Sequence, residues 1–193
     1  IVQRGALARG RFDAALQRGL TPLVGRDDEL ALLRGHARQA FEGDGRIVLV
    51  GEEPYLPYQR PPLSKKFLAG ELDVPRLLLR QEKFYDDHAV DVRLNTRVTH
   101  LEPGTRTATL STGDRLGYDK LVLATGSRVR EVSLPGSRLP GVHYLRTIED
   151  VDRIRDHFHP GASLVIIGAG YIGLEVAAVA VTHGLKVTVV ELA

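Results

Sequence analysis

A glycine-rich turn in the last third of the 193-residue sequence carries the strongest chemical signal. It has the spacing G-x-G-x-x-G and consists of Gly168, Ala169, Gly170, Tyr171, Ile172 and Gly173. In a dinucleotide-binding turn, the first glycine permits the tight bend and the second lets a pyrophosphate approach the backbone. The third lets the following helix pack closely against the preceding strand. The turn is therefore predicted to bind the phosphates of a dinucleotide.

The segments around this turn favour the same interpretation. The apolar run 164–167 predicts a buried strand, a helix is predicted from about Tyr171 to Thr182, and Lys186–Val190 predicts a second strand. Glu191 follows about 18 residues after the last glycine, where its carboxylate could accept both hydroxyls of an adenosine ribose. Because a 2′-phosphate would meet a like charge there, we expect NAD(H) to be preferred over NADP(H).

Glu175 stands out because it is an acid in an otherwise apolar stretch of the predicted helix. One interpretation is that its carboxylate stabilises the N-terminal end of the helix through the helix dipole. The other is that it is a buried acid paired with a basic residue elsewhere, since an unpaired buried charge is costly. The residues alone leave both interpretations open.

The rest of the sequence predicts a mixed α/β fold. Periodicity and end signals predict helices at 26–42, 64–69, 81–88 and, beginning after Thr147, 148–158. Apolar and β-branched runs predict strands at 46–50, 97–101, 105–110 and 120–124. The last three strands, separated by turns rich in Gly, Pro and Asp, are predicted to form a β-meander that ends in a buried strand.

The composition excludes several classes of function. The sequence has 26 Lys and Arg against 24 Asp and Glu, and this balance provides no electrostatic footprint for nucleic acid. The absence of cysteine excludes disulfides, thiolate metal sites and thiol nucleophiles, and we expect no metal site. We also expect neither a membrane span nor a secretory leader, and predict a cytoplasmic location.

A second group of motifs lies upstream of the glycine turn. It comprises Gly51-Glu52-Glu53, the proline-rich segment from Tyr55 through Tyr58, Arg60 and Lys65 to Lys66, Ala124-Thr125-Gly126, and Tyr144-Leu145-Arg146-Thr147. Together with the glycine turn and Glu175, these motifs resemble the FAD-dependent ferredoxin reductase family, which includes rubredoxin and putidaredoxin reductases. The resemblance covers residues 45–193, with the motifs in the order in which the family has them.

The resemblance implies which residues contact FAD. Glu52 or Glu53 would hold the adenosine ribose, and Val98 would touch the adenine through its backbone. The remaining implied contacts, with the flavin and its diphosphate, are Arg60, Lys65, Ala124, Thr125, Gly126 and Arg146. Lys65 would lie near the flavin N5 atom and pair with Glu175, with the charged ends within ~4 Å, the usual ion-pair distance.

The resemblance also implies a function. Reduced nicotinamide would pass a hydride to the flavin, which would release electrons singly to a ferredoxin- or rubredoxin-like acceptor. No nucleic acid and no membrane are expected as partners. The related disulfide reductases need a cysteine pair beside the flavin, so the absence of cysteine argues against that branch.

The predicted architecture is a partial Rossmann-like flavoprotein with two dinucleotide-binding domains and a β-meander, truncated at both ends. Residues 1–45 are predicted to be a helical segment foreign to the family, 46–160 a partial FAD-binding domain and 161–193 the start of the NAD-binding domain. The family's first glycine turn, which holds the FAD pyrophosphate, has no counterpart in the sequence.

Residues 20–50 instead resemble the lead-in to the P-loop ATPase module of bacterial regulators and cyclases. The sequence contains no Gly-Lys pair, so it has no Walker A motif. Two alternative functions follow: a non-catalytic nucleotide-binding or regulatory module, and a non-functional chimeric fragment. The functional prediction is therefore an oxidoreductase of the ferredoxin reductase type, present as an incomplete fragment.

Overall fold

The computed structural model describes residues 27–43 and 45–191, and three small sheets carry the strands of this part of the chain. The strands are β1 (Ile47–Val50), β2 (Val90–Arg93), β3 (Val98–Glu102), β4 (Thr107–Leu110), β5 (Arg115–Gly117), β6 (Ser163–Ile167) and β7 (Lys186–Val190). The helices are α1 (Asp27–Glu42), α2 (Val74–Leu77), α3 (Glu82–Asp87), α4 (Ile148–Arg155) and α5 (Tyr171–Thr182), with a 3-10 helix at Pro61–Ser64. Residues 1–26, 44 and 192–193 of the predicted domains lie outside the described residues, as does the beginning of the ATPase-like lead-in, residues 20–26.

Two of the sheets are parallel pairs. β1 pairs with β2, and β6 pairs with β7 in a register that runs from Ser163 opposite Lys186 to Ile167 opposite Val190. A parallel pair needs a crossover connection, and α5 supplies it between β6 and β7. The strand–turn–helix–strand unit predicted from the glycine spacing is confirmed.

The main apolar core joins the segment after β1 to the second half of the chain. Its buried members are Leu63, Phe67, Leu68, Leu77, Ile148, Val151 and Val176. The first four lie in 61–77, the next two on α4 and the last on α5. Because burial of apolar area is the main stabilising term, this core fixes the proline-rich segment against α5.

The start of α4 is determined locally. The Thr147 side chain accepts a hydrogen bond from the Asp150 backbone N–H, and the Asp150 carboxylate accepts from the Thr147 and Arg146 N–H groups. This reciprocal arrangement satisfies amides that have no partner within the helix. The helix predicted after Thr147 therefore begins there, and it ends at Arg155, somewhat before the predicted residue 158.

The strand predicted at 120–124 is wrong. This segment is extended but belongs to no sheet, and Leu121, Val122 and Leu123 are exposed. An apolar run becomes a strand only where a neighbour satisfies its backbone hydrogen bonds, and no strand of the described residues pairs with it. The third strand of the meander is β5 instead, which pairs with β4.

The helix predicted at 64–69 is also wrong. A 3-10 helix begins earlier, at Pro61, because the two prolines preset the backbone angle of its first turn, and it ends before Lys65. Lys65 has φ −124° and ψ −113°, outside the helical region, and turns follow up to Gly70. Two short elements, β2 and α2, were not predicted from the sequence.

Candidate functional site

The glycine turn between β6 and α5 has the geometry that its spacing predicts. Gly168 has φ +106°, which only glycine adopts without strain, and a Cβ atom on Gly173 would overlap the Gly168 carbonyl oxygen. Gly170 is different: a Cβ atom built there meets nothing within 4 Å. The first and third glycines are therefore required by the fold, whereas the second leaves open space beside the helix N-terminus.

Glu191 lies at the end of β7 against this same turn. Its carboxylate accepts a hydrogen bond from the Ala169 backbone N–H. The amides of the first turn of α5, including those of Tyr171 and Ile172, have no acceptor within the helix. An acid and a set of amide donors thus lie together at one edge of the β6–β7 pair.

The ion pair predicted between Lys65 and Glu175 is present. The Lys65 Nζ atom is 2.6 Å from Glu175 Oε1, and the Ser64 hydroxyl donates to Glu175 Oε2 at 2.5 Å. The Glu175 side chain is 28% exposed, so the acid is half-buried. The hydrogen bonds from Lys65 and then from Ser64 favour the charged form and hold the pKa of Glu175 below its ordinary value.

Arg60 connects the end of β1 to the loop before α4. Its guanidinium pairs with Glu53, donates to the Tyr58 hydroxyl at 3.0 Å and donates to the Arg146 carbonyl at 2.6 Å. The Tyr58 hydroxyl in turn donates to Glu53. Burial, followed by the hydrogen bond to Glu53, raises the pKa of Tyr58 well above its ordinary value. Glu53 is thus engaged by two neighbours. Among the described residues, Glu52 pairs with Arg97 at 3.4 Å, and 64% of its side chain is exposed.

A cleft of about 280 Å³ lies where these groups meet. It is lined by Arg60, Pro61, Leu63, Ser64, Lys65, Leu145, Arg146, Ile172 and Glu175. Three of these are residues implied for FAD, and Ile172 belongs to the predicted NAD turn. The structure therefore brings residues from both predicted nucleotide sites to one cavity that is partly apolar and partly charged.

Other predicted FAD residues lie at different distances from this cleft. Gly126 has φ +67°, and a Cβ atom there would come within 3.1 Å of Arg146 Nη2, so it lies next to the cleft wall. Ala124 and Thr125 precede it in the exposed extended segment. Val98 opens β3 and does not line the cleft.

Sequence reasoning missed two residues of the site. Ser64 lies directly before Lys65 and is one of the few buried polar side chains, but a serine beside a lysine carries no signal of its own. Tyr58 lies two residues before Arg60, in a segment whose prolines gave no periodicity to interpret. Ser64 acquires its partner, Glu175, only through a tertiary contact between residues 111 positions apart. The partners of Tyr58, which are Glu53 and Arg60, lie five and two residues away.

Comparison with known proteins assigns the family. The family model of the pyridine nucleotide-disulphide oxidoreductases matches residues 34–193. The chain belongs to this family. Both the resemblance to the ferredoxin reductases and the predicted fold class, a Rossmann-type FAD- and NAD-dependent reductase architecture, are confirmed.

Curated relatives of this chain include rhodocoxin reductase from Rhodococcus erythropolis. It is 46% identical over 147 residues, which are 76% of this chain and 34% of the relative. Rubredoxin-NAD(+) reductase from Pseudomonas putida is 42% identical over 149 residues, which are 77% of this chain and 39% of the relative. The chain thus spans a little over a third of the length of these relatives.

A solved structure gives the same picture. The ferredoxin reductase for the CYP199A2 system from Rhodopseudomonas palustris superimposes with a TM-score of 0.75 at 44% identity, over 81% of this chain and 38% of that chain.

Among the described residues, no helix is long and apolar enough to cross a membrane.

Proposed function

We propose that this protein is an FAD-dependent oxidoreductase that passes electrons from NADH through the flavin to an iron–sulfur protein or a similar one-electron acceptor. The observation that carries the proposal is the shared cleft. It joins Lys65, paired with Glu175, to Ile172, which belongs both to the glycine turn and to the first turn of α5. Residues proposed for the flavin and for the nicotinamide nucleotide therefore meet in one cavity.

The cleft fits a flavin in its chemistry. Arg146 Nε is buried and has no hydrogen-bond partner among the described residues, so it is a donor that the polar edge of a flavin ring could satisfy. Leu63 and Leu145 supply an apolar lining, and Lys65 supplies a positive charge. When bound, FAD accepts two electrons as a hydride and can release them one at a time.

We assign the FAD contacts to Glu52, Arg60, Lys65, Val98, Ala124, Thr125, Gly126 and Arg146. Of the two acids after β1, Glu52 suits the ribose better, because Glu53 is already held by Arg60 and Tyr58. Arg60 would then act mainly by fixing the loop that carries Arg146. In domain terms, we assign 46–160 to an FAD-binding domain and 161–193 to the start of an NAD-binding domain.

We assign NAD(H) to the glycine turn, 168–173, and to Glu191. The amides at the start of α5 would donate to the pyrophosphate, helped by the positive end of the helix dipole. Glu191 would accept hydrogen bonds from the ribose hydroxyls. It would either give up the hydrogen bond from the Ala169 N–H or keep it on one oxygen and use the other oxygen for the ribose.

The proposal includes the partner. Two of the curated relatives are named as reductases of rhodocoxin and of rubredoxin. We propose a small protein of the same kind, carrying an iron–sulfur or rubredoxin-type centre, as the acceptor for this chain. A cytoplasmic location, with no nucleic-acid or membrane partner, belongs to the same proposal.

The test uses the open space at Gly170. NADH binding is measured by fluorescence titration, and NADH-dependent ferricyanide reduction is measured with added FAD at saturation. Gly170→Val should weaken NADH binding by about tenfold or more, because the side chain fills the space through which a pyrophosphate would approach. The fold should tolerate it, since an added Cβ meets nothing and φ is an ordinary −67°.

Gly117→Val is the matched control, because Gly117 is equally open but lies on β5. It should leave NADH binding unchanged. If Gly170→Val binds NADH as tightly as the wild type, the assignment of the turn is wrong. If NADH and added FAD both bind, as fluorescence titration with each would show, but ferricyanide reduction is absent, the proposed electron transfer is wrong.

A further inference from the structure

Two consecutive residues hold the two oxygens of one distant carboxylate. Ser64 Oγ donates to Glu175 Oε2 at 2.5 Å, and Lys65 Nζ lies 2.6 Å from Glu175 Oε1. Ser64 is the last residue of the 3-10 helix, and Glu175 lies on the second turn of α5. One short segment therefore contacts both oxygens of the carboxylate.

The two partners differ in burial. Ser64 is 3% exposed, whereas the Lys65 side chain is 44% exposed. A half-exposed lysine has four rotatable bonds and competing water, so its ion pair alone orders a carboxylate poorly. A buried hydroxyl on a short side chain has few alternative positions, and its neighbours Leu63 and Phe67 belong to the main core.

The backbone that carries Ser64 is itself fixed. The Leu63 N–H donates to the Arg60 carbonyl at 2.9 Å, and the Lys65 and Phe67 N–H groups donate to the Pro62 carbonyl at 3.0 Å. Prolines 61 and 62 remove further freedom from this turn. The position of the hydroxyl is thus set by the core rather than by solvent-exposed contacts.

We infer that Ser64 is a positioning residue of the redox site: its buried hydroxyl fixes the Glu175 carboxylate, and the fixed carboxylate holds the Lys65 ammonium at the cleft. This role rests on the proposed function of the cleft. Ser64 acts through Glu175 and is not itself proposed to touch a reacting atom. The other charged groups that line the cleft are Arg60 and Arg146, and Arg60 is already engaged by Glu53.

The inference predicts a change in the titration of Glu175. A hydrogen bond to a carboxylate favours its charged form, so loss of the Ser64 hydroxyl should move the pKa of Glu175 upward. It should also loosen Lys65, whose partner would no longer be held in one orientation. Neither effect requires bound FAD or NADH.

The experiment compares Ser64→Ala with a matched control, Thr96→Val, in the full chain. Thr96 is the other buried polar side chain among the described residues, and its hydroxyl donates to the Leu94 carbonyl at 2.8 Å, away from Glu175. The chemical shift of the Glu175 carboxyl carbon is followed against pH by NMR in a chain labelled with ¹³C-glutamate. Its signal is assigned as the one that Glu175→Gln removes. The Lys65 ammonium signal is observed in chain labelled with ¹⁵N-lysine, where an ammonium held in an ion pair exchanges its protons slowly.

We expect an upward shift of the Glu175 titration midpoint and loss of the Lys65 ammonium signal in Ser64→Ala, and neither change in Thr96→Val. An unchanged midpoint in Ser64→Ala would overturn the role of the hydroxyl. A shifted midpoint with a retained Lys65 signal would overturn the link from Ser64 to Lys65. Because these measurements use no cofactor, their failure is distinct from a failure of NADH binding or flavin reduction.

Discussion

Arg60 should contribute more to stability than any isolated surface charge, because it has three partners in a half-buried setting. Its side chain is 33% exposed and that of Glu53 is 27% exposed. Arg60→Ala removes the ion pair with Glu53, the bond to Tyr58 and the bond to the Arg146 carbonyl. It also leaves the half-buried carboxylate of Glu53 with Tyr58 as its remaining neighbour in this group.

The magnitude follows from these contacts. A neutral hydrogen bond contributes about 1 kcal/mol and one to a charged group about 1.5–3 kcal/mol, and partial exposure reduces the sum through solvent screening. We therefore expect Arg60→Ala to lower the free energy of unfolding by about 2–3 kcal/mol. At about 2–4 °C per kcal/mol for a chain of this size, Tm should fall by roughly 5–10 °C.

Urea denaturation followed by circular dichroism measures this change, with Arg97→Ala as the control. Arg97 also faces a glutamate, Glu52, but at 3.4 Å with side chains 49% and 64% exposed. Such a pair contributes about 0–1 kcal/mol. If the two variants lose the same small amount of stability, the network around Arg60 does not act as described.

Three further predictions concern the proposed cofactor sites. Glu175→Gln should lower the free energy of unfolding by about 1 kcal/mol at pH 7. Because the pKa of Glu175 is lowered in the folded chain, the stabilisation by its carboxylate is fully present above the unfolded pKa and is lost as the pH falls through the folded pKa. Urea titrations of both chains at several pH values would show this loss. Glu191→Ala should reduce the preference for NADH over NADPH by about tenfold in fluorescence titrations, and an unmodified chain that binds NADPH equally well would contradict the assignment. The 193-residue chain should purify colourless, without bound FAD, since its sequence holds a single dinucleotide-type glycine turn. Near-stoichiometric flavin absorbance in the visible spectrum would contradict this and show that the contacts of Arg60 and Lys65 suffice to hold FAD.

Features governed by neighbouring residues were predictable from the sequence. The bend at Gly168, the start of α5 and the pairing of β6 with β7 follow from glycine conformations and apolar periodicity within about 30 residues. The beginning of α4 likewise depends on Thr147, which accepts from the Asp150 N–H three residues later. The ion pair of Lys65 with Glu175 was anticipated from family resemblance, because nothing local to either residue specifies the other.

Long-range partners were decided only by the tertiary structure. The run 120–124 has the pattern of a buried strand, but a strand also needs a neighbour for its backbone hydrogen bonds, and that neighbour is not a property of the run itself. The choice between Glu52 and Glu53 depends on where Arg60 reaches, and the role of Ser64 depends on packing of the 3-10 helix against α5. The sequence by itself determined the conformation of the glycine turn, because backbone sterics act between adjacent residues. The tertiary structure decided which charges meet in the cleft, because such contacts join segments that the chain separates by a hundred residues or so.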